Sequence, residues 1–389
     1  MARTVPTPAP TTILSGSPMS TPLLTAPRSA GHAPTPPPSE PHEALDVAVH
    51  ATRAYGVADA GDDSWTCHAS PDGQWRLPLV VSAAGTPHAA SPYGYSGVHV
   101  APGLQPSQVR ELWHDAAADL RGRGVASVFL RLSPLDLAST SRLTGLPGLH
   151  LRHVSDTVLV DSRDLDEAWA EVASSCRRQV RKAERRGLTA TVDPVATFTA
   201  GDGAAFRHLY DDTMRRLGAH ASYFRDDRYY ERLGSLGPDR LKLCSVRDDS
   251  GAMVAAALLL VDRDAVHYHY AGSDADAGRP HGATNLLIWS IVRWAHEQGI
   301  PGVHLGGGRG RDDSLLRFKR SFGGALRPFV VGTSVLDADA YALGVHDRAR
   351  ELGVRAEALL GSDFFPAHRA PAPAPVTGSP EQAVGGVAP

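Results

Sequence analysis

Leu165, Trp169, Val172, Cys176, Val180 and Ala183 recur every three or four residues, with polar residues between most of them. That spacing predicts one long helix, ended by Gly187, whose apolar stripe is core. Cys176 on such a stripe is packing material, not a nucleophile. Upstream, SWTCHAS and QWRLPLVV flank Pro71-Asp72-Gly73 and predict a hairpin. PSQVRELWHDAAADLRGRG, opened by Pro106 and closed by Gly122 or Gly124, predicts a helix ahead of a buried strand at VASVFLRL. Downstream, RLKLCSVRD, GAMVAAALLLVD and AVHYHYAGSDADAG read as three antiparallel strands with tight turns. In the third, alternation puts His267 and His269 on one face and Tyr268 and Tyr270 on the other. GATNLLIWSIVRWAHEQG is apolar nearly all round, which predicts a buried helix, and GVHL comes next as a strand.

Mixed strands and helices in this order predict an α/β (α+β) chain of two layers joined near residue 150, without a short-period repeat. Residues 1–42 are rich in Pro, Ser and Thr and too poor in large apolar groups to repay ordering, and 363–389 read the same way, so both are expected to be disordered tails. The 389 residues are 42% hydrophobic and 21% charged, which is ordinary globular material with room for two domains. A net charge of −3 gives no global attraction to nucleic acid or membrane, so any such binding has to be local. Cys67, Cys176 and Cys244 lie far apart without a Cys-x-x-Cys, which fits a reducing cytoplasm and neither a disulfide framework nor a zinc site. No run approaches the roughly 20 apolar residues of a membrane span, and prolines and serines interrupt any leader-like stretch. No integral membrane association is expected.

The candidate chemistry is concentrated in LGGGRGRDDSLLRFKRSFGG, residues 305–324. A P-loop needs Gly-x-x-x-x-Gly-Lys-Ser/Thr, and a dinucleotide fingerprint needs Gly-x-Gly-x-x-Gly. Neither fits, because Arg311 stands where the third glycine belongs and no Lys-Ser/Thr comes after Gly310. The residues beyond the glycines predict a short helix, capped by Asp312 or Asp313 and stopped by Gly323 or Gly324. A turn of about 100° per residue groups Leu315, Leu316, Phe318 and Phe322 on one side, opposite Arg317, Arg320 and Ser321. Lys319 falls in the middle of the apolar side. Its ammonium either points inward to a partner or cavity, or its stem lies on apolar surface while the head reaches water.

Two further sets raise the same choice between structure and function. Arg177, Arg178, Arg181, Lys182, Arg185 and Arg186 fall within ten residues on the long helix, countered only by Glu184. They form either a solvated face or a phosphate-binding stripe, with Arg181, Lys182 and Arg185 as its contacts. Base stacking is not expected there, since no aromatics interleave. His267 and His269 lack a carboxylate or third histidine at a telling spacing, so they read as packing or substrate contacts and no metal is expected. The loops AGSDADAGRPHG and GGGRGRDD, the second carrying Arg309, are placed side by side on the sheet, where sites tend to be built.

SCRRQVRKAERRG, HYHYAGSDADAG, NLLIWSIVRWAHEQG, HLGGG and SLLRFKRSFGG, in that order and preceded by SPYGY at 91–95, resemble Fem-type aminoacyltransferases and the related acetyltransferase-like proteins of the GNAT superfamily. The likeness spans roughly residues 85–335 and is most specific at Phe318, Lys319 and Phe322. It implies two tandem GNAT-like domains, 43–150 and 151–336, each a mixed, mostly antiparallel sheet flanked by helices, the second being catalytic. A C-terminal helix within 337–362 would return to the first. The resemblance further implies transfer of an aminoacyl group from aminoacyl-tRNA to an amine, as in peptidoglycan cross-bridges and some peptide natural products. It places Lys319 against the acceptor's phosphates and the reacting carbonyl. Tyr93, Tyr95 and Tyr270 would line the acceptor cleft, and Tyr268, Arg215, Tyr223, Arg309 and Phe318 join the candidate substrate contacts. Two departures leave the donor open between aminoacyl-tRNA and acyl-CoA. The long charged helical hairpin of some Fem proteins is missing, and AGRPHGATN, through Arg279, Gly282 and Ala283, only loosely echoes a coenzyme A loop.

An aminoacyl ester or thioester is already activated, so no covalent nucleophile and no cofactor beyond the co-substrate is required. The protein has to place a neutral amine near the carbonyl and stabilise the oxyanion. Lys319 is the candidate for that charge. Asp313 caps its helix or accepts the amine's proton. The rival expectations are an acyl-CoA-dependent N-acetyltransferase on the same scaffold and a non-catalytic RNA or nucleotide binder.

Overall fold

The computed structural model describes residues 47–308 and 313–372, so the tail expected at 1–42 and Arg309 lie outside the described residues. Strands β1 (Trp65–Ala69), β2 (Trp75–Ser82), β3 (His88–Ala90), β4 (His99–Val100) and β5 (Ser127–Arg131) are interleaved with helices α1 (Arg53–Ala60), α2 (Pro106–Gly122) and α3 (Leu137–Arg142). The long β6 (His150–Asp161) leads into α4 (Leu165–Glu171), α5 (Ser174–Arg185), β7 (Thr189–Pro194), α6 (Gly201–Arg216) and α7 (Asp227–Gly234). The chain continues through β8 (Leu241–Arg247), β9 (Met253–Val261), β10 (Val266–Ser273), α8 (Ala283–Glu297), β11 (Gly302–Gly307), α9 (Ser314–Arg320), β12 (Ala325–Val335), α10 (Ala338–Leu352) and α11 (Ala356–Leu360).

These strands form one mixed sheet in the order β1-β2-β3-β5-β12-β6-β11-β10-β9-β8-β7, with β4 on β2. Among the described residues only β3–β5 and β10–β11 pair in parallel; the other pairs are antiparallel, as the α/β (α+β) reading expects. Late in the chain, β12 inserts between β5 and β6 and pairs with both, so no open sheet edge is left near residue 150. In the second half of the chain, α5 and α8 cover one face of the sheet through Cys176, Val180, Leu287 and Ile291. On the other face Phe206, Tyr210, Tyr229 and Leu233 bring α6 and α7 down onto β8–β10. With sheet on one side and α5 on the other, α8 is buried nearly all round, which accounts for its composition.

The helix expected to run unbroken from 165 is two helices. Val172 and Ala173 adopt extended backbone (ψ 129° and 140°) between α4 and α5. Arg177 removes the penalty of the break, since its Nη1 donates to the carbonyls of Trp169, Ala170 and Val172 at 3.1, 2.9 and 2.6 Å. The apolar stripe survives the break as core. At the C-terminus Gly353, in the left-handed region, divides the expected helix into α10 and α11. The first part of the tail expected to be disordered at 363–389 is packed, and 373–389 lie outside the described residues. Ala367, His368 and Ala370 are buried beside Tyr341 and Val345 of α10, because Phe364, Phe365 and the alanines supply enough apolar surface to pack.

Helix α9 is clamped at both ends. Asp313 Oδ1 accepts the Leu316 N–H at 2.8 Å, as one of the two capping alternatives has it. At the far end Ser321 O accepts the Ala173 N–H at 2.8 Å and Glu171 Oε2 accepts the Gly324 N–H at 3.2 Å, tying the helix to the α4–α5 break. Leu315, expected on the apolar side, is 36% exposed, because with only two turns the helix buries just Leu316 and Lys319. Gly324 sits at φ +88°, where a Cβ would come 2.5 Å from the Leu159 carbonyl oxygen. Gly324→Ala is therefore expected to destabilise the protein by about 2 kcal/mol or more in denaturant unfolding. Wild-type stability in that variant would show that the turn does not hold α9.

Candidate functional site

Strands β10 and β11 stay paired over only two positions, Val266↔Val303 and His267↔His304. Beyond them both strands bulge. The β10–β9 register slips between Tyr268 and Ala271, and the β11–β6 register slips between His304 and Gly306. An extra residue in each strand bends it away from regular pairing and opens a seam in the sheet. At that point Gly306 takes φ +70°, and a Cβ on it would lie 3.1 Å from the Tyr95 hydroxyl and 3.5 Å from Lys319 Nζ. Glycine there lets both groups reach the strand backbone.

The ammonium at the seam comes from α9. Lys319 is 8% exposed, donates to the Gly307 carbonyl at 2.6 Å and lies 6.0 Å from the centre of the Tyr268 ring. Of the two placements its sequence position leaves open, the inward one is adopted. Burial pushes its pKa down to about 8, against a smaller upward pull from Asp313. Phe318, half-buried, packs edge-on against Phe322 at 5.4 Å. Tyr95 stands across the seam with its ring 4.7 Å from His304 and 5.3 Å from Phe329. Burial raises its hydroxyl to about 12, while a hydrogen bond from the Gly307 N–H pulls the other way.

The bulge in β10 overturns the strict alternation expected there. His267 and His269 do share a side, but Tyr270 joins them and Tyr268 alone faces Lys319. Tyr270 stacks on Tyr93 with centroids 6.1 Å apart and accepts from Arg225 Nε at 3.1 Å. Arg225 lies over the rings of Tyr93 and Tyr229 and pairs with Asp59 at 3.5 Å. Burial raises the pKa of Tyr93, Tyr268 and Tyr270, so these hydroxyls are protonated donors at neutral pH. Burial also lowers the pKa of His50, His304 and His269, the last to about 3, so these three rings are uncharged at neutral pH. Among the described residues no group of three or more His, Cys, Asp or Glu has the geometry to hold a metal.

The basic face of α5 borders the turn that opens α8. Lys182 donates to the Pro280 carbonyl at 2.7 Å, Arg186 to the His281 ring at 2.6 Å, and Arg181 lies over Trp169 at 5.7 Å. Arg178, Arg181 and Arg185 are exposed, whereas Arg177 is committed to the α4–α5 break. Tyr223 sits at the rim of the tyrosine cluster, close enough to Tyr93 to raise its pKa, and its carbonyl accepts from Tyr210 at 3.0 Å. Arg215 does not join the cluster; its charge goes to Asp211 and Asp212 on an exposed face of α6.

Several cluster members have no sequence signal of their own. His50, Tyr55 and Asp59 come from the segment at the start of the described chain, which carries no motif, and Asp262 sits in a turn that reads as plain hairpin chemistry. His304 has the one usable signal, as a polar residue between Val303 and Leu305 in an otherwise buried strand.

Residues 174–320 match the family model of the acetyltransferase (GNAT) domain, a stretch running from α5 to the end of α9 that contains both seam strands and Lys319. The fold is similar to that of FemX, with a TM-score of 0.60 and 14% identity over 76% of this chain and 94% of that one. It is also similar to the C-terminal domain of a putative lysylphosphatidylglycerol synthetase from Agrobacterium fabrum (TM-score 0.50, 19% identity, 73% and 88% covered). A conserved protein of unknown function from Bacteroides thetaiotaomicron is a third relative in fold (TM-score 0.52, 9% identity, 75% and 95% covered). No curated protein matches the chain in sequence. Residues 174–320 thus match a GNAT acetyltransferase domain, on a fold similar to that of FemX.

Keeping Lys319 charged at neutral pH costs the fold roughly 3 kcal/mol, given a pKa lowered from 10.5 to about 8. The unfolded chain holds this proton to higher pH than the folded one does. Stability therefore rises with pH between about 8 and 10.5 as the cost is relieved. Lys319→Met is expected to melt above the wild type at pH 7, with the gap narrowing across that window. A gap that stays constant with pH would show that the ammonium is not desolvated.

Proposed function

We propose that this GNAT-type acyltransferase moves an aminoacyl group from aminoacyl-tRNA to an amine acceptor, forming an amide. The observation that carries the reading is the buried ammonium of Lys319, held by one backbone carbonyl at the point where the sheet opens. An oxyanion forming at this point would meet a cation in a poorly solvated setting, where charge stabilisation is strong. The amine nitrogen attacks the ester carbonyl, the C–N bond forms, the C–O bond to the ribose breaks, and the nitrogen's proton is returned to the leaving hydroxyl. Asp313 acts as the helix cap and, by drawing on Lys319, favours its charged form. Tyr93, Tyr95 and Tyr270 line the acceptor side as neutral donors. The basic face of α5, with Arg181, Lys182 and Arg185, supplies the local attraction for phosphates that the overall charge does not. The reading goes with a cytoplasmic protein, since charged tRNA is found in the cytoplasm. No helix among the described residues is long and apolar enough to cross a membrane.

A second reading, transfer from an acyl-CoA, is favoured by one observation. Gly282 and Ala283 open α8 at the end of the loop that follows the seam strand β10, beside Arg279 and Lys182, and a helix start of this kind suits a pyrophosphate. The two are separated by assaying amide formation with alanyl-tRNA or acetyl-CoA as donor, with and without ribonuclease. Ribonuclease-sensitive transfer is expected, and transfer from acetyl-CoA that ignores ribonuclease would reverse the assignment.

With the donor that works, Lys319→Ala is expected to lower kcat by about two orders of magnitude or more with circular dichroism unchanged. An unchanged rate removes Lys319 from the mechanism. Activity should also fall as pH rises through about 8, where Lys319 loses its charge. In Lys319→Arg, whose guanidinium stays protonated, that alkaline limb should vanish. A limb that persists would trace the loss to another group.

A further inference from the structure

Behind the seam, three side chains form a line that plays no part in the mechanism through Lys319. His267 Nε2 lies 3.0 Å from Asp262 Oδ2, and His267 Nδ1 lies 3.2 Å from His304 Nδ1. We propose that Asp262, His267 and His304 form a proton relay, in which His304 Nε2 takes the proton given up by the acceptor amine. The relay rests on the transferase reading of the site.

In the resting relay both rings are neutral, and hydrogen-bond accounting then gives the line one direction. Asp262 Oδ1 already accepts the Val49 N–H at 2.7 Å and Arg240 Nη1 at 2.8 Å, so donors converge on this carboxylate. His267 therefore carries its hydrogen on Nε2 and donates to Oδ2, which leaves its Nδ1 as an acceptor. That acceptor requires the hydrogen of His304 to sit on Nδ1. His304 Nε2 is then left as a bare lone pair, and in the structure it is buried without any hydrogen-bond partner. The ring is 1% exposed. A buried acceptor without a partner is costly, which makes it a feature to explain. Its surroundings point to the seam: the Tyr95 ring packs against it at 4.7 Å, and Lys319 is near enough to disfavour its charged form.

The relay solves a problem that a single base would face. A proton on His304 would create an imidazolium facing the Lys319 ammonium, in a site where burial already disfavours it. If His304 gains a proton at Nε2 and passes its own from Nδ1 to His267 Nδ1, the positive charge settles on His267 against Asp262. When the leaving oxygen departs, the same steps run backward and His304 Nε2 returns the proton to it. The other groups that bear on the line are His50, edge-on to His267 at 4.7 Å, His269 further along β10, and Arg240 on the far side of Asp262. His50 and His269 are kept neutral by burial and add no competing charge. In this scheme His304 is the group that meets the substrate, while His267 and Asp262 are positioning residues.

The test is long-range 1H–15N NMR on the full chain with 15N-labelled histidine. At neutral pH His304 should carry its hydrogen on Nδ1 and His267 on Nε2. Asp262→Asn, whose amide can donate to His267 Nε2, should flip the ladder and leave His304 protonated on Nε2 at neutral pH. In the transfer assay, with alanyl-tRNA or acetyl-CoA as donor, Asp262→Asn and His304→Gln should each lose about a hundredfold with glycinamide as acceptor. With hydroxylamine, whose adduct nitrogen is more acidic and needs less help from a base, the loss should be about tenfold or less. A wild-type His304 with its hydrogen on Nε2, or equal losses for both acceptors, would each overturn the relay. A correct ladder in a protein that transfers nothing would instead overturn the transferase reading.

Discussion

The site depends on one interaction, the hydrogen bond from the Lys319 ammonium to the Gly307 carbonyl at the place where β10 and β11 separate. A solvated lysine would offer little to a reacting carbonyl, because water screens its charge and already satisfies its donors. Buried at the end of a strand, the same group retains donors with few competitors and has a proton that leaves near pH 8. The desolvation that weakens the fold at this position is what makes the charge effective there, a common relation between stability and activity.

Much of the neighbouring structure supports that placement. α9 is too short to orient a side chain by its own packing, and both its ends are fixed: Asp313 caps the start, and Ser321 and Gly324 join the finish to the α4–α5 break. The break has its own support in Arg177. Gly306 removes the Cβ that would separate Tyr95 and Lys319 from the strand. The inserted strand β12 joins the first and second parts of the sheet, so that Tyr95 from the first part meets His304 and Lys319 from the second over a continuous set of strands.

Most of the fold was legible from apolar periodicity, and the places where the reading failed have local causes. The hairpin at 65–82, the helix at 106–122, the three strands from 241 to 273 and the buried helix at 283–297 are present. Periodicity could not show the break at Val172, because the stripe continues in phase across it and the compensation comes from a side chain further on. It also could not show the β10 bulge, which moved Tyr270 to the histidine side, since a bulge is set by pairing partners that one strand does not reveal. Lys319 was legible as a cation on an apolar face. Asp262 and His50 were not, because their burial depends on contacts between residues more than 200 positions apart, such as the Val49 N–H on Asp262.

The most direct measurement is the ionisation of Lys319 itself, monitored by NMR of a 15Nζ-labelled lysine assigned through Lys319→Met. The expected midpoint lies near pH 8, together with a displacement of that resonance when a non-hydrolysable aminoacyl-tRNA analogue is added. A midpoint at the ordinary lysine value of 10.5, with no response to the analogue, would place the ammonium in water and contradict a site built on its burial.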